Sequence, residues 1–165
     1  MRVARSSLAA AVLVMALGQC DTVGQATDSA PEGAERRVDF PVHDDAGEQI
    51  NLLRVSNGLT PMRPNAALER AAAAHLRDMA ANDFMDHEGS DGRGVRARGR
   101  AQGYRACWIG ESLASGQRTP GEVVEAWEKS PKHKHIMLHR RAREYGLARG
   151  GSNLWVLVVA EPGCR

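Results

Sequence analysis

Apolar residues return at helix-like or strand-like spacing only from Glu48 onward, so 118 of the 165 residues offer material for a folded core. The preceding stretch, residues 21–47, is made of Gly, Pro, Ser, Asp and Glu with scattered Ala and Val, and shows no period of 2 or 3.6. Such a segment cannot offset its own ordering entropy and reads as a flexible acidic linker. The remaining 118 residues suffice for one domain. Only seven aromatic residues occur in the chain, so the core must be filled mostly by Ala, Leu and Val.

The net charge of +2 is far below the basic excess of a dedicated nucleic-acid binder, and no nucleic-acid partner is expected. The charge is segregated along the chain. Residues 1–20 carry two Arg and no acid, residues 21–47 carry two Arg against seven acids, and residues 48–165 carry 18 basic and 13 acidic groups. Two basic clusters stand out: Arg93, Arg96, Arg98, Arg100 and Arg105, then Lys132, Lys134, Arg140, Arg141 and Arg143 with His135 and His139. A solvated face is the commoner meaning of such clusters. The alternative is attraction to anionic lipids, lipopolysaccharide or cell-wall polymers.

Arg2 and Arg5 precede an uncharged apolar run from Ser6 to Cys20, the order of a secretory signal. At fifteen residues the run is short for a bilayer span, which needs about 20. Its end, Leu17-Gly18-Gln19-Cys20, resembles a bacterial lipoprotein cleavage site, although Gln19 is larger than the usual residue there. Cys20 would then be acylated and would tether the protein to a membrane. Ordinary cleavage after Ala16-Leu17-Gly18, giving a secreted protein, is the alternative. Cys107 and Cys164 remain, and in an oxidising compartment a disulfide between them closes a loop of 56 intervening residues. Two buried free thiols are the competing reading. Metal ligation by the pair lacks a CxxC spacing.

Within the domain, Ile50 and Leu53 mark a helix over 48–57 that Gly58 stops. Pro61 and Pro64 break the chain before Asn65, which caps a longer helix carrying Leu68, Ala72, His75 and Met79 and ending near Asn82 or Phe84. His87 follows it, and Glu88 to Gly92 form a loop. Helical spacing resumes over Val95–Ala101. Thr119-Pro120-Gly121-Glu122 is a capping box opening a helix with Val123, Val124 and Trp127 inward. Ser130-Pro131 ends that helix and starts a short one through Leu138. Tyr145 to Ala148, a turn at Gly150-Gly151-Ser152-Asn153, and Leu154 to Ala160 predict a hairpin. Helices with a small antiparallel sheet result.

His87, Glu111, Ser130 and His133 are the polar candidates, each placed in a loop or at an element end. Imidazole with carboxylate suits a divalent metal or proton transfer near neutral pH. The plainer alternative is a satisfied hydrogen-bond network tying loops to the core. His75 reads as a core-edge residue. Trp108, Trp127 and Trp155 read as packing anchors, with Trp108 alternatively lining a cleft.

The succession Leu52-Leu53-Arg54, Gly58-Leu59-Thr60-Pro61-Met62, the Ala-rich helix to Met79, Phe84-Met85-Asp86-His87, Asp91-Gly92, Gly103-Tyr104, Gly110-Glu111-Ser112-Leu113-Ala114, Trp127, Ser130-Pro131-Lys132-His133 and Tyr145-Gly146-Leu147 resembles bacterial members of the CAP superfamily. These SCP-like proteins are relatives of cysteine-rich secretory proteins, insect venom allergen antigen 5 and plant pathogenesis-related proteins. The resemblance spans residues 48–165. It implies an α+β fold, a three-layer α-β-α sandwich with a surface cleft, and assigns His87 and Glu111 to the cleft.

In eukaryotic members that cluster is two His and two Glu and can hold a divalent cation such as Zn. Here Ser130 stands where a Glu would, and no second His lies near Leu154, so His133 is the implied substitute. Ser112 and His135 each stand where the family usually has Asn. The resemblance implies an exported envelope protein that binds a lipid, polysaccharide, protein or metal, the family having no established common activity. The alternative is a metal-assisted peptidase or esterase with Glu111 as base and His87 and His133 on the metal. A ribonuclease-like use of the histidines ranks last.

Overall fold

Residues 45–164 are described by the computed structural model, so the expected signal segment 1–20, the lipidation site Cys20 and nearly all of the acidic linker lie outside the described residues. The first helix, α1 (Asp45–Ser56), starts three residues ahead of the expected boundary. The reason is packing. Ala46 is fully buried, and a Cβ on Gly47 would stand 2.2 Å from the Tyr145 hydroxyl oxygen, so the end of the linker already belongs to the core.

A two-residue strand, β1 (Arg63–Pro64), precedes α2 (Ala66–Asn82). Asn65 caps α2, its side-chain oxygen accepting from the backbone N–H of Ala67 at 2.9 Å and of Leu68 at 3.3 Å. The helix stops at Asp83, which takes a left-handed φ of 52° and returns its N–H to the Met79 carbonyl. Then come α3 (Val95–Ala101), β2 (Ala106–Ser115), α4 (Pro120–Lys129), α5 (Pro131–Met137), β3 (Glu144–Gly150) and β4 (Leu154–Pro162). Thr119 accepts from the Glu122 N–H at 3.2 Å as the capping signal requires. The Glu122 carboxylate reaches back to the N–H of Arg118 at 2.7 Å, one residue further than a capping box specifies.

The four strands run in the order β1-β3-β4-β2. β4 pairs antiparallel with both β2 and β3, and the short β1 adds a parallel pair, a small departure from the wholly antiparallel sheet expected. β2 is the element that the sequence pattern did not announce. Its second half is buried on both faces, so polar alternation is missing.

Side chains alternate between two apolar layers. Trp155, Leu157 and Val159 of β4 meet Ile50 of α1, Val123, Val124 and Trp127 of α4 and Met137 of α5 on one face. Val156, Val158 and Ala160 meet Leu68, Ala72, Leu76 and Met79 of α2 on the other. The sandwich is therefore α-β-α. Gly146 of β3 fixes how closely α2 approaches, because a Cβ there would fall 2.2 Å from the Leu68 carbonyl carbon. Cys107 and Cys164 form the expected disulfide, which pins the start of β2 to the chain beyond β4. Among the described residues no helix is long and apolar enough to cross a membrane.

Candidate functional site

Glu111 sits in the middle of β2 and not at an element end, paired across the sheet with Val158 on the face covered by α2. Only 2% of its side chain is exposed, a position where an ionised carboxylate demands partners. It has them. Its Oε2 accepts from Arg98 Nη2 at 2.7 Å, and its Oε1 accepts from His87 Nδ1 at 2.9 Å. Arg98, itself buried, also donates to the His87 carbonyl from both Nη1 and Nη2 at 3.1 Å and to the Arg93 carbonyl. One guanidinium thus ties β2 to both ends of the loop between α2 and α3.

That loop is held from below as well. Asp78 of α2 accepts from the Ser90 hydroxyl at 2.5 Å and the Ser90 N–H at 2.9 Å. His75 of α2 is fully buried and donates from Nε2 to the Asp86 carbonyl at 2.7 Å, with the same nitrogen 3.9 Å from Glu111 Oε1. Its Nδ1 is buried without a hydrogen-bond partner among the described residues.

The histidines differ in electrostatics. Burial pushes the His75 pKa down, against the pull of Glu111, so this ring is held neutral. The hydrogen bond to Glu111 raises that of His87, whose side chain is 61% exposed. His133, half-buried on α5, is lowered by burial and then by the positive neighbours His87 and Lys132. His133 therefore stands within electrostatic reach of His87.

Of the residues read from the sequence, the structure joins His87 to Glu111, while His133 makes no hydrogen bond or ion pair with either. Ser112 points to the opposite face of the sheet, as strand alternation requires, and its buried Oγ has no partner among the described residues. Ser130 caps the backbone of α5 without a side-chain bond. His135 joins a different group: its ring stands edge-on to His139 at 5.7 Å, and His139 stacks on Trp108 at 3.5 Å. Trp108 is more than a packing anchor, since one face carries that ring.

Two members of the cluster were not foreseen. His75 lies on the apolar stripe of α2, and a polar residue on such a stripe calls for a buried partner. Arg98 falls three residues after Val95 on the inward side of α3, hidden in sequence by its exposed arginine neighbours.

The arrangement does not fit the divalent cation that the resemblance implies. Both oxygens of Glu111 are engaged, one of them by the permanent charge of Arg98, and a further cation at that carboxylate would meet repulsion. Among the described residues no group of three or more His, Cys, Asp or Glu is placed to hold a metal ion. His87 and Glu111 therefore belong to a polar cluster whose cation is Arg98.

Comparison with known proteins agrees with this fold. The chain is 30% identical over 100 residues to the uncharacterized protein YkwD of Bacillus subtilis, a match that covers 61% of this chain and 39% of that one. An extracellular protein containing a SCP domain from Bacillus anthracis superimposes with a TM-score of 0.67 at 16% identity, over 70% of this chain and 39% of the other. An outer surface protein from Borrelia burgdorferi superimposes with a TM-score of 0.63 at 23% identity, over 71% of this chain and 90% of that protein. This chain thus spans well under half of the two Bacillus proteins and nearly all of the Borrelia protein. Residues 48–159 match the model of the cysteine-rich secretory protein family, CAP, and the chain belongs to that family.

Proposed function

We propose that this protein is an exported CAP-domain module of the cell envelope that binds a ligand at the surface around His87, with Glu111 beneath it and His133 as a further contact. One observation carries the reading: an exposed imidazole, His87, is fixed in orientation by a buried carboxylate that is itself neutralised by Arg98. Such an arrangement is pre-organised, so a ligand meeting His87 does not have to order it. Export is supported by the disulfide and by the extracellular and outer-surface character of the structural relatives. A lipid on Cys20 would hold the module at the membrane.

Native mass spectrometry of the protein recovered from its own envelope tests this reading. A co-purifying mass present in the wild type and absent from His87→Ala is expected, together with an N-terminal lipid. A bare protein in both, with no co-purifying mass in the wild type, would overturn the binding reading.

The His87–Glu111 contact favours a second reading, hydrolysis of a peptide or ester, with the roles changed from those expected. Glu111 is enclosed and would orient the ring, leaving His87 Nε2 as the general base that takes a proton from water. Turnover of a model ester that persists in His87→Ala would remove it.

A further inference from the structure

A concavity on the described surface is lined by none of His87, Glu111 and His133. It has a volume of about 580 Å³ and is lined by Arg100, Gly103, Arg105, Ala106 and Cys164, with no acidic side chain among these residues. Arg100 closes α3, Arg105 leads into β2, and Cys164 arrives from beyond β4 through its disulfide to Cys107. Two stretches distant in sequence, 100–106 and Cys164, thus build one wall, fastened covalently. A third guanidinium, Arg96, donates to the carbonyls of Ala106 at 2.6 Å and Cys107 at 3.4 Å, bracing the strand end beside the concavity.

The two lining arginines have no side-chain partner among the described residues, unlike the arginines of the ion pairs. Arg98, Arg93 and Arg141 each face a carboxylate, whereas the side chains of Arg100 and Arg105 have neither an ion pair nor a hydrogen bond among the described residues. Both are exposed, and both charges are available to a ligand. A guanidinium presents its donors as a planar fork. Two forks with two positive charges match an anion with three oxygens and two negative charges better than a carboxylate, which has two oxygens and one charge.

We propose that this concavity is a second binding site, specific for a terminal phosphate monoester held between Arg100 and Arg105. The phosphate is borne by a membrane lipid headgroup or by a soluble phosphate ester. In both cases the site is independent of His87 and of the cleft reading.

The test uses the full chain with two double variants, Arg100→Gln with Arg105→Gln, and Lys132→Gln with Arg140→Gln as a control that removes equal charge elsewhere. Binding is measured to glycerol 3-phosphate by calorimetry, and to phosphatidylcholine vesicles with and without phosphatidic acid by sedimentation. The site predicts that the first variant weakens binding by about tenfold or more while the control changes it little. Binding to glycerol 3-phosphate but not to vesicles assigns the site to soluble esters; the reverse assigns it to headgroups.

Equal losses in the two variants would reduce the effect to diffuse charge and overturn the proposal. So would an absence of binding to both probes. Vesicles containing phosphatidylglycerol, a diester, provide the last check, since binding as tight as to phosphatidic acid rules out recognition of a monoester.

Discussion

Arg54 and Arg98 are both buried, on opposite faces of the sheet, and the difference between them lies in what receives their protons. Arg54 of α1 donates only to backbone carbonyls: Thr60 at 3.0 Å, Met137 at 2.7 Å, His139 at 3.1 Å and Ala142 at 3.1 Å. Burial, and then the neighbouring charge of Arg143, push its pKa below the usual arginine value. Arg98 of α3 donates to carbonyls too, but also to Glu111. Carbonyls let a buried cation stitch loops together, with nothing left over for chemistry. A carboxylate neutralises the cation and has a second oxygen to spare, which here orients an exposed histidine.

The largest expected effect tests the stitching role. Arg54→Met leaves four carbonyls without their donor and should cost about 3–5 kcal/mol in urea unfolding, with His87 behaviour unchanged. A cost below about 1 kcal/mol would show that water replaces the guanidinium and would erase the distinction. Replacing Cys107 and Cys164 together by Ser comes next, at about 3–4 kcal/mol on the chain-entropy account. Its signature is local. Amide exchange should quicken at the start of β2 and in α3, on the Arg98 side, while α1 keeps its protection.

A double-mutant cycle between Arg98→Met and Glu111→Gln should return a coupling of about 1–3 kcal/mol. The same cycle between Arg54→Met and Glu111→Gln should close to within about 0.5 kcal/mol, since the two groups share no partner. A large coupling there would mean that the faces communicate through the sheet.

The smallest effect is on pH dependence. The folded pKa of His87 is raised, so its stabilisation is fully present below the ordinary value of about 6.5 and is lost as pH rises through the folded value. His75 runs the other way. Its folded pKa is lowered, so the unfolded chain binds the proton better and stability falls as pH drops below about 6.5. The difference in unfolding free energy between wild type and His87→Ala should therefore be larger near pH ~5.5 than near pH ~8.5, within about 1 kcal/mol because the ring is exposed. A difference independent of pH would show that His87 is held by packing alone.

The sequence was most readable where local chemistry decides structure. Asn65 and Thr119 cap their helices as read, Pro131 opens α5, and the turn before Leu154 forms a hairpin. It was least readable at β2, whose inward residues include Gly110, Glu111 and Ser112, so that neither alternation nor an apolar run marked it. The site followed the same division. His87 and Glu111 were among the polar candidates, and the resemblance of motifs paired them. Arg98 and His75 were concealed because their roles arise only when α2, α3 and β2 meet, and no spacing along one element encodes that meeting.

The strand order β1-β3-β4-β2 has a further consequence, for self-association. β2 is ten residues long and has a strand on one side only among the described residues, which is the geometry that invites another chain to pair with it. Its first carbonyls are already taken by Arg96, and a register shift between Ala106 and Trp108 distorts that end. A positive charge and a bulge are two of the devices by which sheets discourage edge-to-edge growth. Arg96 and the bulge therefore make the start of β2 a poor template for a strand of a second copy.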